Sequence, residues 1–341
     1  GRPTVIGLDS GTYELRSPVS FDETTGASEI WLIGTAGTTL QTTQARRRRL
    51  VTEAEEPMLN VSRGAPRIHL HGIEMRIKVV VNGGELNVDD CTFNGSVGDL
   101  GGALQVLSGS VRVSDTRFVR NSARRGGAAH VSGGKAVFKR AVFSANEATE
   151  ADSGGALCVE GGSVVLEEQT HLHGNMAGGA HDSVRLEAPG SLEYRLPAPL
   201  GHWINSLGQP TMMLSEGNLA DYPHACSAGL DGGEVSVPAQ SSPACAGRCP
   251  AGKICGEATV RPLECERGGY CPEGSPAARP CSAGRYGNRS GLRAADECLA
   301  CPPGHACSIG ATEPVACTPG TVAVNRSSGA CTSCAEGSYQ G

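Results

Sequence analysis

Apolar and polar positions alternate in short runs along the first 200 or so residues of the chain. Leu104 and Val106 alternate with polar neighbours, then Val111 and Val113, then Thr116 and Phe118. A period of two over runs this short predicts half-buried β-strands, not helices. The runs also recur. "GGALQVLSGSVRVSDTRFVRNSA" from Gly101 is followed by "GGAAHVSGGKAVFKRAVFSANEA" and "GGALCVEGGSVVLEEQTHLHGNM". An earlier copy, "GGELNVDDCTF", precedes them, and a fourth "GGA" opens at Gly178. Phe93, Phe118 and Phe143 are spaced by 25 residues, and Leu172 takes the same place 29 further on. A fixed period of this size predicts stacked supersecondary units, none of which can bury its inner face alone.

Each repeat therefore supplies three strands separated by Gly or Asn corners. Stacking the repeats about 4.8 Å apart sets Phe93, Phe118 and Phe143 in one column. It sets Val113 against Phe138, and Val106 against Val131 and Val159, in others. The Gly-Gly pairs at 101, 126, 154 and 178 suit positive φ. Asn121, Asn146 and Asn175 follow the Phe/Leu position by three residues, where Asn tolerates the left-handed region and can build an amide ladder between coils. The fold class that follows is all-β: a right-handed parallel β-helix followed by a small disulfide-rich, loop-rich module.

The paired "GGA[LIV]" and "FxxN" signatures resemble the polymorphic outer-membrane protein repeats, a β-helix family that includes bacterial surface adhesins. They are carried by Gly101-Gly102-Ala103-Leu104, Gly154-Gly155-Ala156-Leu157, Phe118 with Asn121 and Phe143 with Asn146. Ser96 stands in place of the first Asn, Ala129 in place of Leu104, and Leu172 in place of Phe. The likeness covers roughly a third of the chain and speaks to fold more than to function.

Three domains are expected: the β-helix over 1–200, a cap and linker over 201–244, and cysteine-rich repeats over 245–341. "TVIGLDSGTYEL" and "EIWLIGTAGTTL" read as the opening coils, and "PMLNVSRGAPRIHLHGIEM" as the coil before the clear repeats. Between them, Arg46, Arg47, Arg48 and Arg49 with Glu53, Glu55 and Glu56 read as a projecting loop. That loop is a candidate site of proteolytic processing or of docking on an anionic partner, though its own glutamates offset the arginines. Beyond Pro197 and Pro199, the apolar cluster Trp203, Ile204, Met212, Met213 and Leu214 is expected to cover the open end of the last coil.

Thirteen of the 15 cysteines lie from Cys226 onward. Cys-x5-Cys-x9-Cys spacing occurs at 249–255–265, 265–271–281 and 301–307–317, with turn signals such as "CPAG" and "CPPG". A stretch with so little apolar material needs covalent constraint. Disulfides are therefore expected among Cys226, Cys245, Cys249, Cys255, Cys265, Cys271, Cys281, Cys298, Cys301, Cys307, Cys317, Cys331 and Cys334. The Cys298-x-x-Cys301 and Cys331-x-x-Cys334 pairs also have the form of zinc ligands. Thirteen cannot all pair, so a bridge from Cys158 would even the count. Cys91, in the column of Thr116 and Ala141, reads as a small buried filler. "CLACPPGHAC…CTPGTVAVNRSSGACTSCAEGSYQ" resembles the ephrin-receptor-like cysteine-rich repeats, with some likeness to EGF-type and TNF-receptor-type modules; that resemblance implies an extracellular stalk or spacer.

The formal charge of −6 and 4% aromatic content give no basic stripe with stacking residues, so nucleic acid is not expected as a partner. No apolar run reaches the length of a membrane span. Asn60, Asn94, Asn288 and Asn325 begin Asn-x-Ser sequons, with Asn94 and Asn288 at predicted turns. For catalysis, Asp89, Asp90 and Asp115 with Arg112, or His130, His171, His173 and His181, are the groups to weigh. Asp90 and Asp115 are the candidate acid/base pair of a polysaccharide lyase or glycosidase. No metal site and no cofactor are assigned. The expected role is that of a secreted or cell-surface structural or adhesion protein, with extracellular proteins, glycans or further copies of itself as partners.

Overall fold

The computed structural model describes residues 2–42, 59–215 and 217–337. The arginine run at 46–49 lies outside them. The described chain forms two compact units, one comprising Gly1–Pro199 with Gln209–His224 and the other Leu200–Gly208 with Ala225–Gly341. The segment expected as cap and linker is thus divided between them.

The first unit is a parallel β-helix. Its middle sheet stacks seven strands, Gly11–Leu15, Thr38–Thr42, Glu74–Arg76, Thr92–Asn94, Arg117–Val119, Val142–Ser144 and His171–His173. A second sheet runs from Val97–Leu100 through Ser122–Arg125 and Glu147–Ala148 to Met176–Ala177. The largest sheet has 15 strands and bends along its length. Val79–Asp89 and Leu104–Ser114 cross that bend as single strands of 11 residues. In the next coil the same path is broken into Ala129–Val131 and Lys135–Lys139.

The expected columns are present. Phe93 pairs in register with Phe118, Phe118 with Phe143, and Phe143 with Leu172. The three rings are stacked with centroids 4.8 and 4.5 Å apart and planes within 4°. Val113 pairs with Phe138, which meets Phe143 edge-on at 5.2 Å. Val106, Val131 and Val159 form the third column. All of these are sealed from solvent. Each large apolar side chain so buried stabilises by about 1.5–3 kcal/mol. Cys91 is buried among them as a free thiol, pushed up to about 11 by its removal from water.

The asparagines are placed differently from the expectation. Asn121, Asn146 and Asn175 do not take positive φ; the residue before each does, at Arg120 (φ 53°), Ala145 (φ 53°) and Gly174 (φ 61°). That turn points the amides into the interior, where they are fully buried and form a ladder. The Asn121 Nδ2 donates to Asn146 Oδ1 and the Asn146 Nδ2 to Asn175 Oδ1, both at 2.9 Å. Each Nδ2 also donates to a backbone carbonyl one coil away, of Phe93, Phe118 and Phe143 respectively. Each Oδ1 accepts a backbone N–H, from Ser96, Asn121 and Asn146. Ser96 ends the ladder on one side, and Ser183 with Asp221 ends it on the other.

The Gly-Gly corners divide two tasks. Gly126 has φ 59°, whereas a Cβ on Gly127 would lie 2.2 Å from the Gly155 carbonyl of the next coil. The first glycine turns the chain and the second lets adjacent coils approach.

The open end is closed by part of the expected cluster together with Tyr222, on antiparallel strands. Thr211–Met213 pairs antiparallel with Ser191–Arg195, and Gly217–Leu219 with Val184–Leu186. Tyr222 exchanges two backbone hydrogen bonds of 2.9 Å with Leu172, and its ring meets Tyr194 edge-on at 5.4 Å. Met212 and Leu214 take part in this closure. Trp203 and Ile204 fall in the second unit, where the Ile204 N–H donates to the Gln240 carbonyl at 2.8 Å.

The second unit is held by six disulfides: Cys226–Cys245, Cys249–Cys255, Cys265–Cys271, Cys281–Cys298, Cys301–Cys307 and Cys317–Cys331. Between them lie five two-stranded ribbons with two residues per strand, such as Gly269–Tyr270 with Arg279–Pro280. Leu292 packs with the Cys281–Cys298 bridge and Tyr270 in a small apolar cluster. Each bridge contributes about 2–4 kcal/mol, mainly by restricting the unfolded chain. Three of the four cysteines of the two CxxC pairs are consumed in disulfides, which removes the zinc reading. Cys334 is free and half-buried, and Cys158 is free and fully buried. The expected bridge from Cys158 is not made, because its thiol is enclosed in the flank of the β-helix. Disulfides of this number belong to an oxidising, extracellular-type compartment.

Two outcomes follow. Asn146→Ala removes four hydrogen bonds of the ladder and leaves the buried Asn121 N–H without its acceptor, at about 1 kcal/mol per bond. It should lower unfolding free energy by about 3–5 kcal/mol in denaturant titrations, while the exposed Arg117→Ala should change it by less than about 0.5 kcal/mol. Alkylation without reductant should label three cysteines in denatured protein (Cys91, Cys158 and Cys334), and only Cys334 in the folded chain.

Candidate functional site

The corners of the coils carry a column of left-handed residues. Asp90, Asp115, Arg140 and Glu168 have φ of 49°, 48°, 49° and 46°. Here Asp90 and Asp115 occupy equivalent places on adjacent coils, and both are exposed. They are not equivalent chemically. Arg140 grips Asp115 with two hydrogen bonds of 2.7 and 2.5 Å and reaches Glu168 at 2.6 Å. The Arg140 guanidinium holds the Asp115 carboxyl below the usual carboxylate range. A carboxyl held ionised in this way suits a salt link, not a general acid, which needs a raised value.

Asp89 is also engaged. Its carboxylate accepts from Ser114 Oγ at 2.5 Å and lies 3.0 Å from His71 Nδ1. Arg112 is exposed and stands in register between Asn87 and Val137. His171 and His173 flank Leu172 on the middle sheet with ring centroids 4.8 Å apart. His130 is on the largest sheet and His181 is an exposed residue of the second sheet, so the four histidines do not converge.

The outer faces of the coils carry ladders of opposite charge, on the largest sheet at Arg67 and Arg195 and on the second sheet at Arg124. Arg67 bridges Glu29 at 3.0 Å and Glu85 at 2.7 Å. Arg124 joins Asp99 to Glu150, and Arg195 joins Glu167 to Glu193. Exposed pairs of this kind contribute about 0–1 kcal/mol each, so their regularity speaks to the surface more than to stability. Beside the Arg67 ladder, Trp31 stacks on His69 with centroids 3.7 Å apart and planes within 2°. An open groove of about 430 Å³ lies there, lined by Ser28, Glu29, Gly64, Ala65, Arg67, Gly83, Gly84 and Glu85. The sequence offered no route to the Trp31–His69 pair, because residues 41–57 interrupt the period between them.

One polar cluster is enclosed. The strands Ala129–Val131 and Leu157–Val159 pair with His130 opposite Cys158. Period-two alternation places Glu160 on the same face as Cys158, a relation already present in the sequence. The half-buried Arg125 folds over this face and pairs with both Glu160 and Glu187. Enclosure pushes the Cys158 thiol up to about 12 and holds the His130 ring below the ordinary histidine value.

Of the four sequons, Asn288 and Asn325 are exposed. Asn60 lies in the strand Leu59–Ser62. Asn94 ends the strand Thr92–Asn94, with its amide donating to Glu74 and accepting from Arg120. No described helix is long and apolar enough to cross a membrane. Comparison with protein-family models and with curated proteins finds no match.

Burial holds His69 and His130 below the ordinary histidine value in the folded chain, while the unfolded chain takes up protons near pH 6.5. Stability is therefore complete above that value and falls as pH drops through it toward the depressed folded values. Denaturant midpoints measured from pH 7.5 to 5 should decline, and His130→Gln should flatten the decline.

Proposed function

We propose that this chain is a secreted or cell-surface structural or adhesive protein: a β-helix of seven stacked coils whose outer face serves as the binding surface, continued in the chain by a disulfide-stapled spacer. The observation that carries this reading is the saturation of the outer face by coil-to-coil charge ladders, Glu29–Arg67–Glu85, Asp99–Arg124–Glu150 and Asp115–Arg140–Glu168. Such a face presents fixed, regularly spaced polar groups, and its arginines hold Glu85, Asp99 and Asp115 below the usual carboxylate range. It fits recognition of a protein or glycan better than acid/base turnover. The six disulfides support an extracellular setting. The resemblance to repeats found in surface adhesins and to ephrin-receptor-like spacers points the same way.

The alternative, a lyase or glycosidase using Asp90 and Asp115, asks Asp115 to leave Arg140. Purified chain incubated with acidic and neutral polysaccharides should release no reducing ends or unsaturated products. It should bind extracellular-matrix glycans or proteins on an array, or self-associate in sedimentation velocity. Turnover abolished by Asp90→Asn or Asp115→Asn would establish the enzyme instead, and absence of both binding and self-association would remove the adhesive reading.

A further inference from the structure

Among the described residues, one group of three unlike donors comes together inside the flank of the β-helix: His130, Cys158 and Glu160, whose ligand atoms all lie within 4.8 Å of one another. His130 is 1% exposed, Cys158 0% and Glu160 27% on its side chain. Neither ring nitrogen of His130 has a hydrogen-bond partner. Its Nε2 faces Glu160 Oε2 at 3.2 Å, an ion-pair distance without hydrogen-bond alignment, and Cys158 Sγ lies 4.0 Å from Glu160 Oε1. A buried imidazole whose Nδ1 has no partner and whose Nε2 meets only the ion-pair contact with Glu160 costs about 1–3 kcal/mol for the unsatisfied nitrogen, and such a group in a native interior calls for an explanation.

We propose that His130, Cys158 and Glu160 form a binding site for a divalent d-block cation of the zinc class, pinning adjacent coils together. Imidazole nitrogen, thiolate sulfur and carboxylate oxygen are the three donor types zinc accepts, at about 2.0–2.3 Å. A tetrahedral ion at those distances sets its donors roughly 3.3–3.8 Å apart. The present spacing therefore needs shifts of about an ångström or less, with water completing the fourth position.

The charges also permit it. Binding displaces the Cys158 proton to solvent, so thiolate and Glu160 together supply two negative charges to a dication. Arg125 and Lys78 both bear on His130 as opposing positive charges. Arg125, however, holds Glu187 at 2.7 Å as well as Glu160, so it can yield Glu160 to the ion and keep a partner. A thiol this enclosed is also out of reach of the disulfide chemistry that consumed twelve other cysteines.

The test uses the full oxidised chain carrying Cys334→Ser, so that the one half-buried thiol outside this cluster does not compete. Co²⁺ added without reductant should bind one ion per chain and produce a thiolate-to-cobalt charge-transfer band with tetrahedral d–d absorption, both displaced by Zn²⁺. Cys158→Ser should abolish the charge-transfer band, and His130→Gln should weaken Co²⁺ binding by about 10-fold or more, with circular dichroism confirming the fold. Zn²⁺ should also raise the melting temperature of the parent and leave Cys158→Ser unmoved. Absence of the band in folded parent protein, or its persistence in Cys158→Ser, overturns the site. Should that variant fail to fold, Glu160→Gln on the more open edge of the cluster takes its place, and unchanged Co²⁺ affinity there refutes the proposal.

Discussion

The β-helix depends on a column of three buried side-chain amides. Asn121, Asn146 and Asn175 each sit where the chain turns between the middle and second sheets, at a point where backbone groups lose their strand partners. Each amide donates and accepts across the coil interface, so every layer satisfies the one beside it. A hydrophobic contact tolerates sliding; this arrangement does not, because a shift of one residue would leave several polar groups buried and unpaired at once. The amide ladder thereby sets the register that stacks Phe93, Phe118 and Phe143 with planes within 4°. Packing supplies most of the favourable energy, and the ladder decides which packing is reached.

The corners extend this logic outward. Single left-handed residues turn the chain at Asp90, Asp115 and Arg140, and again at Arg120 and Ala145. Non-glycine residues are uncommon in that region, and here the coils on either side hold them in it. One result is that charged side chains at the corners are delivered to matching positions on successive coils. Arg140 reaches both the coil before and the coil after. The outer charge ladders are in this sense a by-product of an interior that repeats.

The middle coils were legible because the period was intact: Phe118, Val113 and Val106 could be set against their partners by counting. Legibility failed where the period failed. Nothing in the alternation of residues 29–42 and 59–75 showed that Trp31 would meet His69, since an irregular stretch separates them. Tyr222 carries no signal in the sequence, because the closing strands run antiparallel and have no repeat signature. The left-handed corner lies one residue before the asparagines, at Arg120 and Ala145, residue types that give no sign of positive φ while the neighbouring asparagines do. Cysteine spacing announced disulfides without their connectivity, which sequence alone does not determine. The His130–Cys158–Glu160 cluster lay on a face the alternation marked as outward, and only the fold of Arg125 over it made that face an interior.

The antiparallel strands that follow Leu196 have a consequence for how such a molecule changes over generations. They end the run of coils with edges turned the wrong way for another parallel rung, so the stack cannot lengthen past them by simple addition. A longer or shorter version has to arise by duplicating or deleting whole rungs in the interior. The spacing of 29 residues between Phe143 and Leu172, against 25 before it, shows that the corners absorb stray insertions while the columns stay aligned.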